Sequence, residues 1–257
     1  MTASRPLERL IALGASNLTN GALRLLDAAR AATGAPVEAF AALGHGRSYG
    51  VRSSLLGRTL PGIDDCELWT ALERAGRRSS TALVMDVGND ILYGFDPDTI
   101  LRWVDDALQR LAPHADALRL AGLPLESVAR LGPVRFQLVR RLLVPGSRLT
   151  LARARERVHA VDAGLQDLAR RRGAAFVPLP GSWFGYDVVH VRRRLRAAAF
   201  AGLLGVPPAA PAAPLAGAGN ALRLLRARPA RRWRLGREQI GEQPALRFAD
   251  GSTLALY

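Results

Sequence analysis

RLIALGASNLTNGA, residues 9–22, runs from an apolar strand-like segment into a turn with a serine at its tip. Ser, Asn and Thr after an apolar run are what a helix N-terminus needs, because their side-chain oxygens accept from unpaired main-chain N–H groups. Taken alone, the stretch reads Ser16 as an ordinary cap. The pattern recurs, however. Short aliphatic runs at 9–14, 37–43, 82–87, 117–123 and 174–178 are each closed by Gly, Pro or a polar turn, as buried parallel strands are. Helical patterns at 21–32, 67–77, 97–112, 134–143, 149–172 and 192–204 lie between and after them. This alternation predicts an α/β fold, with a parallel sheet of about five strands and helices on both faces. In such sheets ligands bind at the carboxyl ends of the strands, so each strand end is a place to look for chemistry.

The chain has 257 residues, 49% of them hydrophobic, enough for a substantial core. No window approaches the roughly 18 apolar residues of a transmembrane helix, and the N-terminal residues lack the long apolar region of a signal peptide. The single cysteine, Cys66, excludes an internal disulfide and fits a reducing compartment, so a cytoplasmic location is expected. The formal charge of +14 invites a nucleic-acid or anionic-membrane reading. Yet all 36 basic residues are Arg, beside heavy use of Ala, Gly, Pro and Leu, the bias of a GC-rich coding sequence. Basic residues are not interleaved with aromatics as a stacking platform requires, and no dedicated nucleic-acid function is expected. After position 205 the composition changes. Residues 206–220 are Pro/Ala/Gly-rich and read as a linker. Residues 221–257 carry eight Arg against three acids and include Asp250-Gly251, a hairpin signal. This extension is too small to fold alone and is expected to pack on the main domain or on a partner.

Four strand ends carry polar residues: GASN at 14–17, GHGRSYG at 44–50, VGNDILYG at 87–94 and GYDVVH at 185–190. Together they supply the parts for acyl transfer. Ser16 is the candidate nucleophile, and His190 the base that takes its proton. Asp187, three residues before His190, can hold the imidazole in one tautomer. Oxyanion donors are the main-chain N–H groups of Ser16 and Gly46 and the side-chain amide of Asn89, with Gly44 as the competing glycine.

The order Ser…Gly…Asn…Asp-x-x-His at successive strand ends resembles the SGNH hydrolase superfamily, the GDSL-type esterases and lipases, over about the first 205 residues. The resemblance implies a three-layer, flavodoxin-like α/β/α sandwich. It also implies hydrolysis of an ester or thioester of a small acylated metabolite through an acyl-serine intermediate, with no metal or organic cofactor. It assigns Ser16, Asp187 and His190 as catalytic and Ser16, Gly46 and Asn89 as the oxyanion hole. His45, Tyr49 and Tyr93 neighbour these blocks and are candidate substrate contacts, or core packing of the loops. Four positions depart from the family pattern: Ala15 replaces the Asp that supports the serine turn, Asn17 replaces a Leu, Val87 replaces a Gly, and Val191 replaces a Pro. An acyltransferase on the same site, or an idle fold serving as a scaffold through its Arg-rich tail, are the alternatives.

The other histidines show no metal-ligand spacing. GHGRSYG also invites a dinucleotide reading, but its glycines are spaced wrongly and Arg47, Ser48 and Tyr49 crowd the place of a phosphate.

Overall fold

The parallel pairing of the sheet follows from the alternation of short aliphatic runs with amphipathic helices. The computed structural model describes residues 7–257 apart from 35, 145, 210 and 212. Residues 1–6, on which part of the signal-peptide reading falls, and 210 and 212 of the expected linker therefore lie outside the described residues.

Strand β1 (Arg9–Leu13) leads into α1 (Ser16–Thr33) and β2 (Glu38–Ala42). A hairpin, β3 (Ser53–Leu55) and β4 (Arg58–Leu60), precedes α2 (Leu68–Arg74), β5 (Ser80–Val84) and α3 (Asn89–Tyr93). Then come α4 (Pro97–Leu111), β6 (Ala117–Ala121), α5 (Leu125–Ala129), α6 (Pro133–Leu143) and α7 (Leu151–Arg172). Strand β7 (Ala175–Val177) and α8 (Arg196–Leu204) complete the region that the family resemblance covers. Helix α9 (Ala218–Arg226) and strands β8 (Arg231–Arg234), β9 (Arg237–Ile240), β10 (Leu246–Arg247) and β11 (Thr253–Leu256) follow.

The central sheet runs β10-β11-β2-β1-β5-β6-β7, parallel throughout except at the β10–β11 edge pair. Because side chains alternate across a strand, β1 feeds two cores. Leu10 and Ala12 join Leu25 and Leu26 of α1 and Phe200 and Leu203 of α8 on one face. Ile11 and Leu13 join Val104 and Leu108 of α4 and Leu165 of α7 on the other. The result is an α/β/α sandwich. Gly21 permits α1 to approach α8, since a Cβ there would lie 1.8 Å from the Phe200 ring.

The sheet has seven strands where about five were expected, because the C-terminal segment supplies two. Strand β11 pairs parallel with β2 and places Leu254, Ala255, Leu256 and Tyr257 in the buried interior. The Tyr257 ring stacks on Phe40 with centroids 5.8 Å apart. The hairpin signal at Asp250-Gly251 corresponds to the β10–β11 turn, with Gly251 at φ 88°. Within the linker stretch, Leu215 is buried, Asp27 accepts the N–H groups of Leu215 and Ala216, and α9 begins at Ala218. A second sheet, β3-β4-β8-β9, joins the C-terminal segment to the hairpin that follows β2.

Two boundaries bear on the site. The sequence pattern extends the third strand to residue 87, but β5 leaves the ladder after Val84, and Asp86 turns at φ 61°. The first helix, expected from residue 21, begins at Ser16.

Candidate active site

The carboxyl ends of β1, β2 and β5 open onto one edge of the sheet, where the loop carrying residues 185–191 also arrives. Ser16 is the first residue of α1, and its hydroxyl is not spent on capping that helix. Its Oγ lies 2.9 Å from His190 Nε2, and His190 Nδ1 lies 2.6 Å from Asp187 Oδ2. Nδ1–H donating to the carboxylate leaves Nε2 free to accept from the serine hydroxyl. Asp187 Oδ1 also accepts the N–H groups of Val189 and His190, each at 3.2 Å, which curls the Asp-x-x-His segment onto itself. Burial is the largest influence on this carboxyl and opposes ionisation. The hydrogen bonds and charge of His190, with the two main-chain donors, outweigh it and hold the pKa below its ordinary value.

Residue 15 is Ala and has no side chain to cap α1. Asp86 takes over that task from the end of β5. Its Oδ2 accepts from Ala15 N at 2.9 Å and Leu18 N at 3.0 Å, and its Oδ1 accepts from Asn17 Nδ2 at 2.8 Å. A carboxylate on the first-turn N–H groups satisfies orphan donors and complements the helix dipole. Asn17 carries the restraint across to the histidine loop. Its Nδ2 also donates to Val189 O at 2.9 Å, and its Oδ1 accepts from Val191 N at 2.9 Å. The residues on either side of His190 are thus bonded to the neighbour of Ser16.

Neither Asp86 nor Asn17 is singled out by the sequence reading. The available signal was the polar residue in MDVGND, which reads as strand interior only while the strand is extended past Val84. Replacing Asp86 with Ala is expected to lower kcat about 100-fold with a much smaller change in KM if Ser16 is the nucleophile, because misplacing a reacting group by about 1 Å costs that much. Steady-state kinetics alongside a thermal melt checks this. A KM-dominated effect would place Asp86 in substrate binding instead.

Gly46 adopts φ 68°, the left-handed region that favours glycine, and its carbonyl accepts from the Tyr93 hydroxyl. Asn89, at the start of α3, reaches the same loop, with Nδ2 3.4 Å from Arg47 O. The two loops are locked together by Asp90, which accepts from the Ser48 hydroxyl and from Tyr49 N at 3.0 Å. Burial pushes the Asp90 carboxyl up to about 6, against those two hydrogen bonds. Arg47, fully buried beside Gly46, donates to Pro61 O at 3.1 Å and also to the main-chain oxygen of Tyr257. The C-terminal segment therefore braces the loop that carries Gly46.

His45 is half-buried and lies within electrostatic range of His190. Burial chiefly, then Arg58 and His190, lower its pKa, while Asp86 opposes them. Tyr93 lies beside the Gly46 loop, its hydroxyl donating to Gly46 O. Tyr49 is instead fully buried, and its hydroxyl donates to Met85 O at 2.7 Å, tying strand ends together rather than facing a substrate. Sequence proximity to the glycine loop could not reveal that its ring turns inward.

An open cavity of about 430 Å³ adjoins the Asp187–His190 pair, with Tyr186, Arg192, Arg193 and Arg196 in its wall. Burial, then Arg193, lowers the Arg196 pKa, as expected where like charges gather. Cys66 is buried, and its thiol pKa is pushed up chiefly by burial. Among the described residues no group of three or more His, Cys, Asp or Glu side chains is placed to hold a metal ion. Among them, too, no helix is long and apolar enough to cross a membrane.

The mainly parallel sheet with helices on both faces is the overall fold of solved esterase structures. The chain is similar to the inhibitor-bound aryl esterase of M. smegmatis, with a TM-score of 0.53 at 15% identity, over 77% of this chain and 97% of that one. It is also similar to Est24, a carbohydrate acetylesterase from Sinorhizobium meliloti, with a TM-score of 0.52 at 15% identity, over 76% of this chain and 95% of that one. No protein-family model and no curated protein sequence matches it.

Proposed function

We propose that this chain is a serine hydrolase that cleaves an ester or thioester of a small acylated metabolite through an acyl-serine intermediate. The hydrogen-bonded chain from Ser16 Oγ through His190 to Asp187 is the observation that carries this reading. Ser16 Oγ attacks the acyl carbonyl as His190 Nε2 takes its proton, and Asp187 stabilises the imidazolium. The negative charge on the carbonyl oxygen is met by N–H of Ser16, N–H of Gly46 and Nδ2 of Asn89. The tetrahedral adduct collapses with breakage of the ester or thioester bond, and His190 returns its proton to the leaving alkoxide or thiolate. Water then attacks the acyl-serine with His190 again as base, releasing the acid and restoring Ser16. His45 and Tyr93 border the oxyanion loop and contact the substrate. The three arginines beside His190 favour an ester that carries an anionic group.

Labelling with a fluorophosphonate probe, with the modified peptide identified by mass spectrometry, tests the reading. Attachment at Ser16 that is lost in His190→Ala is the expected result. Folded protein that takes no label would overturn it in favour of an idle fold.

A further inference from the structure

Both hairpins of the second sheet turn on a Leu-Gly pair. Leu55 faces Arg58 across one turn and Arg234 faces Arg237 across the other, leaving two-residue loops at Leu56-Gly57 and Leu235-Gly236. All four loop residues have positive φ: 51° and 72° in the first loop, 48° and 78° in the second. That is the type I′ geometry, which favours Asn-Gly or Gly-Gly and strains a leucine. Both leucines are also thrust into water, Leu56 93% and Leu235 83% exposed. The tips are adjacent, with Leu235 N donating to Gly57 O at 2.9 Å. Twice, then, the chain places an apolar side chain where both backbone conformation and solvation oppose it. Such an outlier points to a use other than stability.

The surroundings are cationic. The four strands hold one acid, Glu238, and five arginines, of which Arg58 turns inward toward Gly44 and His45. Among the described residues only Arg231 of the five is ion-paired, with Glu238 and Glu67. Arg52 packs over the Trp233 ring with its Cζ 4.4 Å from the centroid, adding a sixth cation, and Ile240 adds a further exposed apolar side chain. We infer that this sheet docks the protein on an anionic lipid surface, with Leu56 and Leu235 inserted at the headgroup boundary and the arginines on the phosphates. The leucine tips project rather than form a groove, a shape that suits a fluid interface better than the rigid face of an acidic protein. Long arginine stems can lie along the acyl boundary while their heads remain among the headgroups. Leu55 of the same hairpin lies against Gly46, so docking brings the oxyanion loop close to the lipid.

Sedimentation of the full chain with vesicles tests this. Binding is expected with phosphatidylglycerol-containing vesicles at low salt, with little on pure phosphatidylcholine. It should weaken at about 1 M salt, where the screening length falls to about 3 Å. The double variant Leu56→Asn, Leu235→Asn should partition at least about tenfold less, the equivalent of losing one buried leucine. The same variant should melt at an equal or higher temperature, because Asn-Gly suits the turn, and should keep its probe labelling at Ser16. Wild-type protein that ignores anionic vesicles overturns the inference. So does a double variant that binds them as well as wild type, or one whose only change is dissociation of a wild-type oligomer.

Discussion

Ser16→Ala is expected to lower kcat for a small chromogenic ester by roughly 10⁴–10⁶-fold, and His190→Ala by a similar factor. The size follows from how the two groups are joined. A serine hydroxyl is a weak nucleophile at neutral pH, and among the described residues the base hydrogen-bonded to it is His190, 2.9 Å away. Removing either end leaves the other with nothing to act on. The double variant should therefore be no slower than the worse single variant. Steady-state kinetics on all three proteins checks this, and multiplicative losses would mean that the residues do not act as a unit. The residual rate should reflect the oxyanion donors alone, so Asn89→Ala added to Ser16→Ala should reduce it further.

Deleting residues 253–257 is expected to abolish the cooperative thermal transition rather than yield a folded protein lacking a tail. Leu254, Leu256 and Tyr257 are each at most 5% exposed, and burial of a large apolar side chain contributes about 1.5–3 kcal/mol. Together they approach the whole stability of a typical domain, about 5–15 kcal/mol. The deletion also strips β2 of its partner along residues 38–41, leaving a bare edge beside the central strand. Circular dichroism melts on the deletion and on the milder Tyr257→Ala check this. The single substitution should cost about 3–5 kcal/mol through the cavity left against Phe40, a range set by core Phe and Trp truncations. A truncated protein that melts like the full chain would show that the segment is dispensable to the fold.

The parallel sheet was legible because aliphatic runs closed by turn residues leave little else for those segments to be. Ser16, Gly46 and Asn89 were legible for the same reason, since strand ends in such sheets converge, whereas Asp187 and His190 stood out by their Asp-x-x-His spacing on a loop well past β7. Asp86 was not. Its value lies in reaching across from β5 to the turn after β1, and that contact becomes visible only when the register of those two strands is known. Tyr49 failed in the opposite direction, because position beside a glycine loop does not encode which way a ring points. Strands β3, β4, β8 and β9 escaped notice because their turns use Leu-Gly, a pair without a turn-forming signature. The Asp250-Gly251 signal marked the hairpin that contains β11 but not its pairing with β2, because that partner lies at the other end of the chain.

That pairing sets an order of events during synthesis. Val37 N–H, at the mouth of β2, bonds Ser252 Oγ, 215 residues later in the sequence. At about 5–20 residues per second, β2 waits roughly 10–40 s on the ribosome before β11 exists to cover it. Throughout that interval Arg47 lacks its Tyr257 acceptor and the Gly46 loop is unbraced. The nascent chain thus keeps an open β2 edge and an unbraced Gly46 loop until β11 emerges.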